Sequence, residues 1–236
     1  MTLVNTAPEE VQGTLSLYEN DGRLVMSASI RLPAFSGFSG TVDELAALGS
    51  GFEGYAVVDS ADGPAVGPET LIGFESYRNL SRYALIRAFP ESSKLRRGYL
   101  PHFSSRAGYS TTLTLVNFSS ETQVLRITAE ALQADGIART PSSATVERTI
   151  LPAARLEESA EQMFNFAGEA LITGYIRFET VGDTSGVVGF LDYGTADGPV
   201  LSALEARAEG SSDMLLSPVA EGSDYWTALA LLNLRP

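Results

Sequence analysis

The sequence predicts an all-β chain: two tandem Ig-like antiparallel β-sandwich units of about 115 residues, each with a short helical crossover. Three observations predict it. A set of short phrases recurs in the same order at offsets of 112 to 120 residues. Between the phrases, apolar and polar residues alternate with period two, the mark of a strand with one buried face. Asp-Gly turn signals lie between such runs.

The anchors run the length of the chain. Thr2-Leu3-Val4-Asn5 returns as Thr114-Leu115-Val116-Asn117 and again, more loosely, as Ala230-Leu231-Leu232-Asn233. Asp21-Gly22 matches Asp135-Gly136, and Leu32-Pro33 matches Leu151-Pro152. Gly54-Tyr55 matches Gly174-Tyr175, and GFESY at 73–77 matches GFLDY at 189–193. Leu100 matches Leu216, and Tyr109 matches Tyr225. This period is too long for a solenoid turn or a propeller blade and suits a sandwich domain. The ADGP phrases at 61–64 and 196–199 are 135 residues apart and out of phase.

Strands come first in each unit. Met26, Ala28, Ile30 and Leu32 alternate with Ser27, Ser29 and Arg31. Leu125, Ile127, Ala129 and Ala131 alternate with Arg126, Thr128 and Glu130. Leu113 and Leu115 stand among threonines, which favour strands. Each Asp-Gly is expected to close a hairpin through a type I′ turn, whose positive φ angles these residues accept. After each Leu-Pro comes a helical turn. Thr41 with Glu44, and Ser159 with Gln162, have the spacing of a capping box, and Gly49 is placed to end the first helix. In GFxxY, glycine marks a bulge or close approach, the Phe packs the core and the Tyr caps it.

At 44% hydrophobic and 19% charged residues the chain is globular and can bury a sizeable core. A net charge of −13 argues against nucleic acid and anionic membrane surfaces as partners. With no Cys, disulfides and thiolate metal sites are excluded. MTLVNTAPEE has no basic n-region and no long apolar run, so it does not read as a signal peptide. No apolar run approaches a membrane span, and membrane insertion is not expected.

The phrases LPHF, GYSTTLTLVN, ADG, TILPAARLE, ITGYIRF and GVVGF, in that order, resemble a repeat of secreted bacterial proteins that stands in tandem or beside other β-domains. The resemblance covers residues 98–212 fully and the flanks in partial phase. It implies export to the cell surface or beyond, a β-sandwich, and a scaffold or adhesive role. It transfers no catalytic residue.

Chemistry-bearing patterns are sparse. His102 is the one histidine, so any Ser-His-Asp triad or histidine-based metal site must use it; its counterpart is Pro218. In LPHF it reads as structural. No G-x-S-x-G elbow, Walker or Rossmann pattern is present. No enzyme and no cofactor are expected. Glu157 and Glu158 read as solvated. Calcium is the most reasonable metal, with Asp59, Asp62, Asp183, Asp192 and Asp197 near loops, although no D-x-D-x-D-G loop supports it. Tyr225-Trp226 is a candidate glycan platform, which makes a carbohydrate-binding or adhesin module the alternative reading. Asn79-Leu80-Ser81 and Asn117-Phe118-Ser119 match the glycosylation sequon, but no glycan use is expected.

Charge separates the copies. Arg78, Arg82, Arg87, Lys94, Arg96, Arg97 and Arg106 against Glu91 give residues 78–106 a net +6. Asp197, Glu205, Glu209, Asp213 and Glu221 against Arg207 give 194–222 a net −4. Complementary patches of this kind suit a head-to-tail contact between copies.

The expected organisation is a unit at 1–97 that lacks its first strand, a complete unit at 98–212, and the first strands of a further unit at 213–236. Those spare strands carry Met214, Leu215, Leu216, Val219, Tyr225, Trp226, Leu229 and Leu231. A missing strand leaves an open sheet edge. Burying four large apolar side chains there is worth about 6–12 kcal/mol, comparable to the net stability of a whole domain. The spare strand is therefore expected to complete the first unit, in the same chain or a neighbouring copy. The protein itself is the expected partner, in a filament when the contact does not close.

Overall fold

The computed structural model describes residues 1–46, 52–60, 70–79, 82–134, 139–166, 170–195, 201–211 and 230–234. Seven strands and a helical turn come first: β1 (Thr2–Asn5), β2 (Val11–Glu19), β3 (Leu24–Leu32), β4 (Gly37–Ser39), α1 (Val42–Ala46), β5 (Gly54–Ser60), β6 (Leu71–Asn79) and β7 (Arg82–Arg87). Eight strands follow: β8 (Arg97–Ser105), β9 (Tyr109–Asn117), β10 (Gln123–Ala134), β11 (Arg139–Ile150), β12 (Arg155–Ser159), then α2 (Ala160–Phe164), β13 (Ile172–Thr180), β14 (Val187–Thr195) and β15 (Leu201–Glu205). The chain is all-β, in four antiparallel sheets, as the alternation predicts. Among the described residues, no helix is long and apolar enough to cross a membrane.

The sheets repeat one plan. Order β4-β1-β6-β7 recurs as β12-β9-β14-β15. Order β3-β2-β5 recurs as β11-β10-β13, but β13 has a further neighbour, β8. Among the described residues β5 has only β2 beside it. Two apolar clusters fill the interior. One gathers Leu3, Leu15, Leu17, Ile30 and Leu32; the larger is built around Leu100, Phe103, Ile127, Ile176, Phe178 and Leu191. Leu125, Ile127 and Ala129 are fully buried, as their spacing predicts.

A buried asparagine explains the recurring TLVN phrase. Asn117 Nδ2 donates to the carbonyls of Glu121 (2.7 Å), Ile150 (3.1 Å) and Leu151 (3.1 Å). Its Oδ1 accepts from the Ser119 N–H at 2.9 Å. Asn5 repeats the set on Glu9, Leu32 and Pro33, with the Ala7 N–H in the place of Ser119. Each asparagine ties the end of its strand to a loop and a turn by filling backbone carbonyls that its strand ladder leaves over. Both are 0% exposed, so Asn117 is no glycan acceptor. The side chain of Asn79 is not among those described. The same bonds correct the alignment: Leu32 corresponds to Ile150 and Pro33 to Leu151, one residue off the Leu-Pro match.

Other local expectations divide. Thr41 and Glu44 form a reciprocal capping box, at 3.0 and 3.3 Å. Ser159 Oγ accepts from the Gln162 N–H at 3.2 Å. Gly49 and the Asp135-Gly136 pair lie outside the described residues. The Asp21-Gly22 turn is not type I′. Only Gly22 has a positive φ, +89°, and its N–H donates to Glu19 O while the Glu19 N–H donates to Arg23 O. That is a type I turn closed by a left-handed glycine, the three-residue hairpin solution. The GFxxY reading is half corrected. Gly189 faces the core, where a Cβ would lie 2.5 Å from Leu115 Cδ2, so Phe190 points outward and stacks on Phe89. Phe74 is likewise exposed, while Tyr193 packs against the core.

Candidate assembly site

Among the described residues one side of β5 carries no strand, whereas its counterpart β13 is flanked on both sides. In β13, Phe178 pairs with Gly98, Ile176 with Leu100 and Gly174 with Phe103 across the ladder to β8, with a register shift between Gly174 and Ile176. That pairing leaves Ile176 and Leu100 fully buried. Gly54, Ala56 and Val58 occupy the corresponding places in β5. Ala56 is exposed and Val58 only half-buried, although Val58 packs against the first cluster. Among the described residues no backbone group pairs with that side of β5, and a sheet edge beside a half-covered apolar face is a template for strand addition.

The spare segment itself is largely undescribed. Met214, Leu215, Leu216, Val219, Tyr225, Trp226 and Leu229 lie outside the described residues. Leu231 is 68% exposed and belongs to no strand, and Leu234 lies near Gly210.

Close to the β5 end of the edge, the two halves meet. The Tyr55 hydroxyl donates to Ala153 O. Its ring stacks on Tyr18 at 5.2 Å and meets the Phe118 ring edge-on at 5.6 Å. Burial, then Tyr18, pushes the Tyr55 phenol up to about 12. The Arg155 N–H donates to Asn20 O at 2.8 Å and its Nη1 to Gly54 O at 2.8 Å. Burial lowers the Arg155 pKa, against the fields of Glu75, Glu53 and Asp192, which raise it. Gly22 closes against Pro152 and Ala153, where a Cβ would stand 2.7 Å from Pro152 O. Nothing in the sequence pattern marks this joint. Arg155→Met keeps the stem and removes the charged donors. It should loosen the joint by about 1.5–3 kcal/mol, the worth of a charge-assisted bond. Faster hydrogen exchange at the residue 155 amide, which donates to Asn20 O, with the β10 core unchanged, would report it.

The described basic side chains each have a partner of their own. Arg87 reaches Glu205 at 3.4 Å, Lys94 reaches Glu91 at 2.8 Å, and Arg96 reaches Asp183 at 3.5 Å. Arg97 lies over the Tyr99 ring. Arg106, just past the other end of β8, donates to Phe166 O at 2.6 Å and faces Glu161. Arg78 and Arg82 sit on β6 and β7, with side chains outside the described set. The Arg87–Glu205 pair joins the basic stretch to the acidic one within the chain. Glu157 and Glu158 are not simply solvated: Glu158 accepts two bonds from Arg148 at 2.8 Å, and Glu157 pairs with Arg155.

Among the described residues no group of three or more His, Asp or Glu side chains could hold a metal ion. Asp59 is the penultimate residue of β5, Asp183 lies in a bend and Asp192 is on β14; Asp62 and Asp197 lie outside the described residues.

His102 Nε2 lies 2.9 Å from Ser104 Oγ, and its ring meets Tyr193 edge-on. Among the described residues no carboxylate bonds to its other nitrogen, the place of the orienting group in a triad. Burial lowers the His102 pKa below 6.5. Protonation is therefore resisted in the fold and free in the unfolded chain. Stability should fall as pH drops below 6.5, down to the folded pKa, and be unaffected above. His102→Gln should flatten that slope in urea titrations at stepped pH.

No protein-family model matches the chain, and no curated protein matches it. A solved crystal structure of a Thermotoga maritima protein is similar over 50% of this chain and 98% of its own, at 19% identity and a TM-score of 0.38.

Proposed function

We propose that this chain is a non-enzymatic structural repeat of a secreted bacterial protein. It consists of two tandem Ig-like sandwich units, at 1–97 and 98–212, joined to further copies head-to-tail by strand addition. One observation supports the reading: among the described residues, β5 has no strand in the place that β8 takes beside β13 in the repeated plan. The two separate apolar clusters support the division into units. The resemblance of the phrases to secreted repeats supports export and a scaffold role. A strand donated to an unlike surface is a heterologous contact, which extends into a filament unless it closes into a ring. Sedimentation of the intact chain against one ending at Ser212 tests it. The intact chain should form multimers and the shortened one none. Equal, monomeric sedimentation of both would refute it.

A further inference from the structure

We propose that turn 33–36 of one copy receives Tyr175 of a second copy, the Tyr175 hydroxyl donating to Phe35 O and the Phe35 ring lying on the Tyr175 ring. This adds a contact to the head-to-tail reading above and rests on it.

The joint inside the chain is the template. There the first half presents Tyr55, near the start of β5, and the second half receives it on the carbonyl of Ala153. Both kinds of surface recur. The receiving turn recurs at Phe35. The Asn5 N–H donates to Ser36 O at 2.8 Å as the Asn117 N–H donates to Ala154 O at 3.0 Å. The Ser36 N–H returns to Pro33 O at 3.2 Å as the Ala154 N–H returns to Leu151 O at 3.0 Å. Phe35 and Ala153 share a left-handed backbone, with φ of +50° and +58°. The presenting surface recurs at Tyr175. Tyr55 stands opposite Tyr18 in the β2–β5 ladder, and Tyr175 stands opposite Glu130 in the β10–β13 ladder.

These second surfaces do not meet within the chain. Phe35 is 72% exposed. Among the described residues no hydrogen bond reaches Phe35 O or the Tyr175 hydroxyl. A bulky side chain at positive φ strains the backbone, where glycine would not. A phenylalanine held there in water fits a side chain kept for a contact.

The rings have changed sides between the two surfaces. Inside the chain Tyr18 stacks on Tyr55, and the receiving residue is the small Ala153. At the second pair Glu130 replaces Tyr18 and Phe35 replaces Ala153, so the ring that covers the tyrosine comes from the receiving turn. Two features are not copied. Gly37 stands at the place of Arg155, and the β10–β11 ladder runs on to Ala134 opposite Arg139, past the level at which Gly22 turns β2 into β3. The contact between copies therefore shares the tyrosine–carbonyl bond with the internal joint, without its arginine or its glycine turn. It is the weaker of the two and adds to strand addition rather than replacing it.

Photo-crosslinking tests the contact, with benzoylphenylalanine in place of Tyr175 in the full-length chain and isotope-labelled and unlabelled copies mixed. Irradiation should join labelled to unlabelled copies, and mass spectrometry should map the adduct to the peptide that carries residues 33–36. Adducts confined to single copies, or multimers whose adducts fall elsewhere, would overturn this contact and leave head-to-tail assembly standing. No multimers at all would overturn both. Two substitutions give an independent measure. Phe35→Gly keeps the turn, since glycine takes φ of +50° freely, and removes the ring. It should raise the concentration of half-assembly by about tenfold. Tyr175→Phe removes only the hydroxyl and should raise it by about fivefold. An unchanged concentration in Phe35→Gly would count against the contact.

Discussion

Asn117→Ala is expected to destabilise the C-terminal half by about 2–4 kcal/mol, because the carbonyls of Glu121, Ile150 and Leu151 and the Ser119 N–H lose a partner together. The alanine fits the space, so the cost is desolvation rather than collision. The side chain that makes these bonds is itself 0% exposed. Asn117→Asp should be nearly as costly, because a carboxylate accepts and cannot donate to Ile150 and Leu151. Urea denaturation of N117A, N117D and the parent chain checks this. A loss below about 1 kcal/mol in N117A would mean that the loop and turn are held by something else.

Gly174→Ala should cost about 3 kcal/mol or more and is the second large effect. A Cβ there would fall inside contact distance of Glu130 O, on the neighbouring backbone of β10. Neither strand can yield, because β10 lies between β11 and β13, and β13 is also held by β8. Gly54 meets Tyr18 O in the same way, so the recurring Gly-Tyr anchor records a close strand approach. Gly54→Ala should therefore destabilise too, and in the first half. Thermal melts of G174A and G54A measure both. An unchanged midpoint for G174A would show that the strands move apart at little cost.

The sequence carries some features of the fold openly and hides others. Leu125, Ile127 and Ala129 alternate with polar residues because one face of β10 is buried, and period two records that directly. The capping residues before α1 and α2 were equally legible, since their chemistry is local. The turn at Asp21-Gly22 was not, because Asp-Gly serves two hairpin types and the bulged register decides between them. Gly189 misled the reading of GFxxY: a glycine facing the core has no side chain to announce it, and the adjacent Phe looked like the core residue. The Leu-Pro match slipped by one because proline drew the alignment, whereas the asparagine bonds to backbone carbonyls whatever residue bears them. The joint of Tyr18, Tyr55, Phe118 and Arg155 was invisible, since contacts between distant turns leave no periodic trace. The difference between the two halves, three described strands in the β5 sheet against four in the β13 sheet, is legible because it is a difference in strand count between two copies of one pattern.

Mass by light scattering over a concentration series, with negative-stain microscopy of the same samples, tests strand addition most directly. The account predicts mass rising with concentration and chains of regular repeat, each step one molecule of 25.1 kDa. A constant mass of one molecule at every concentration, with isolated particles on the grid, would contradict it.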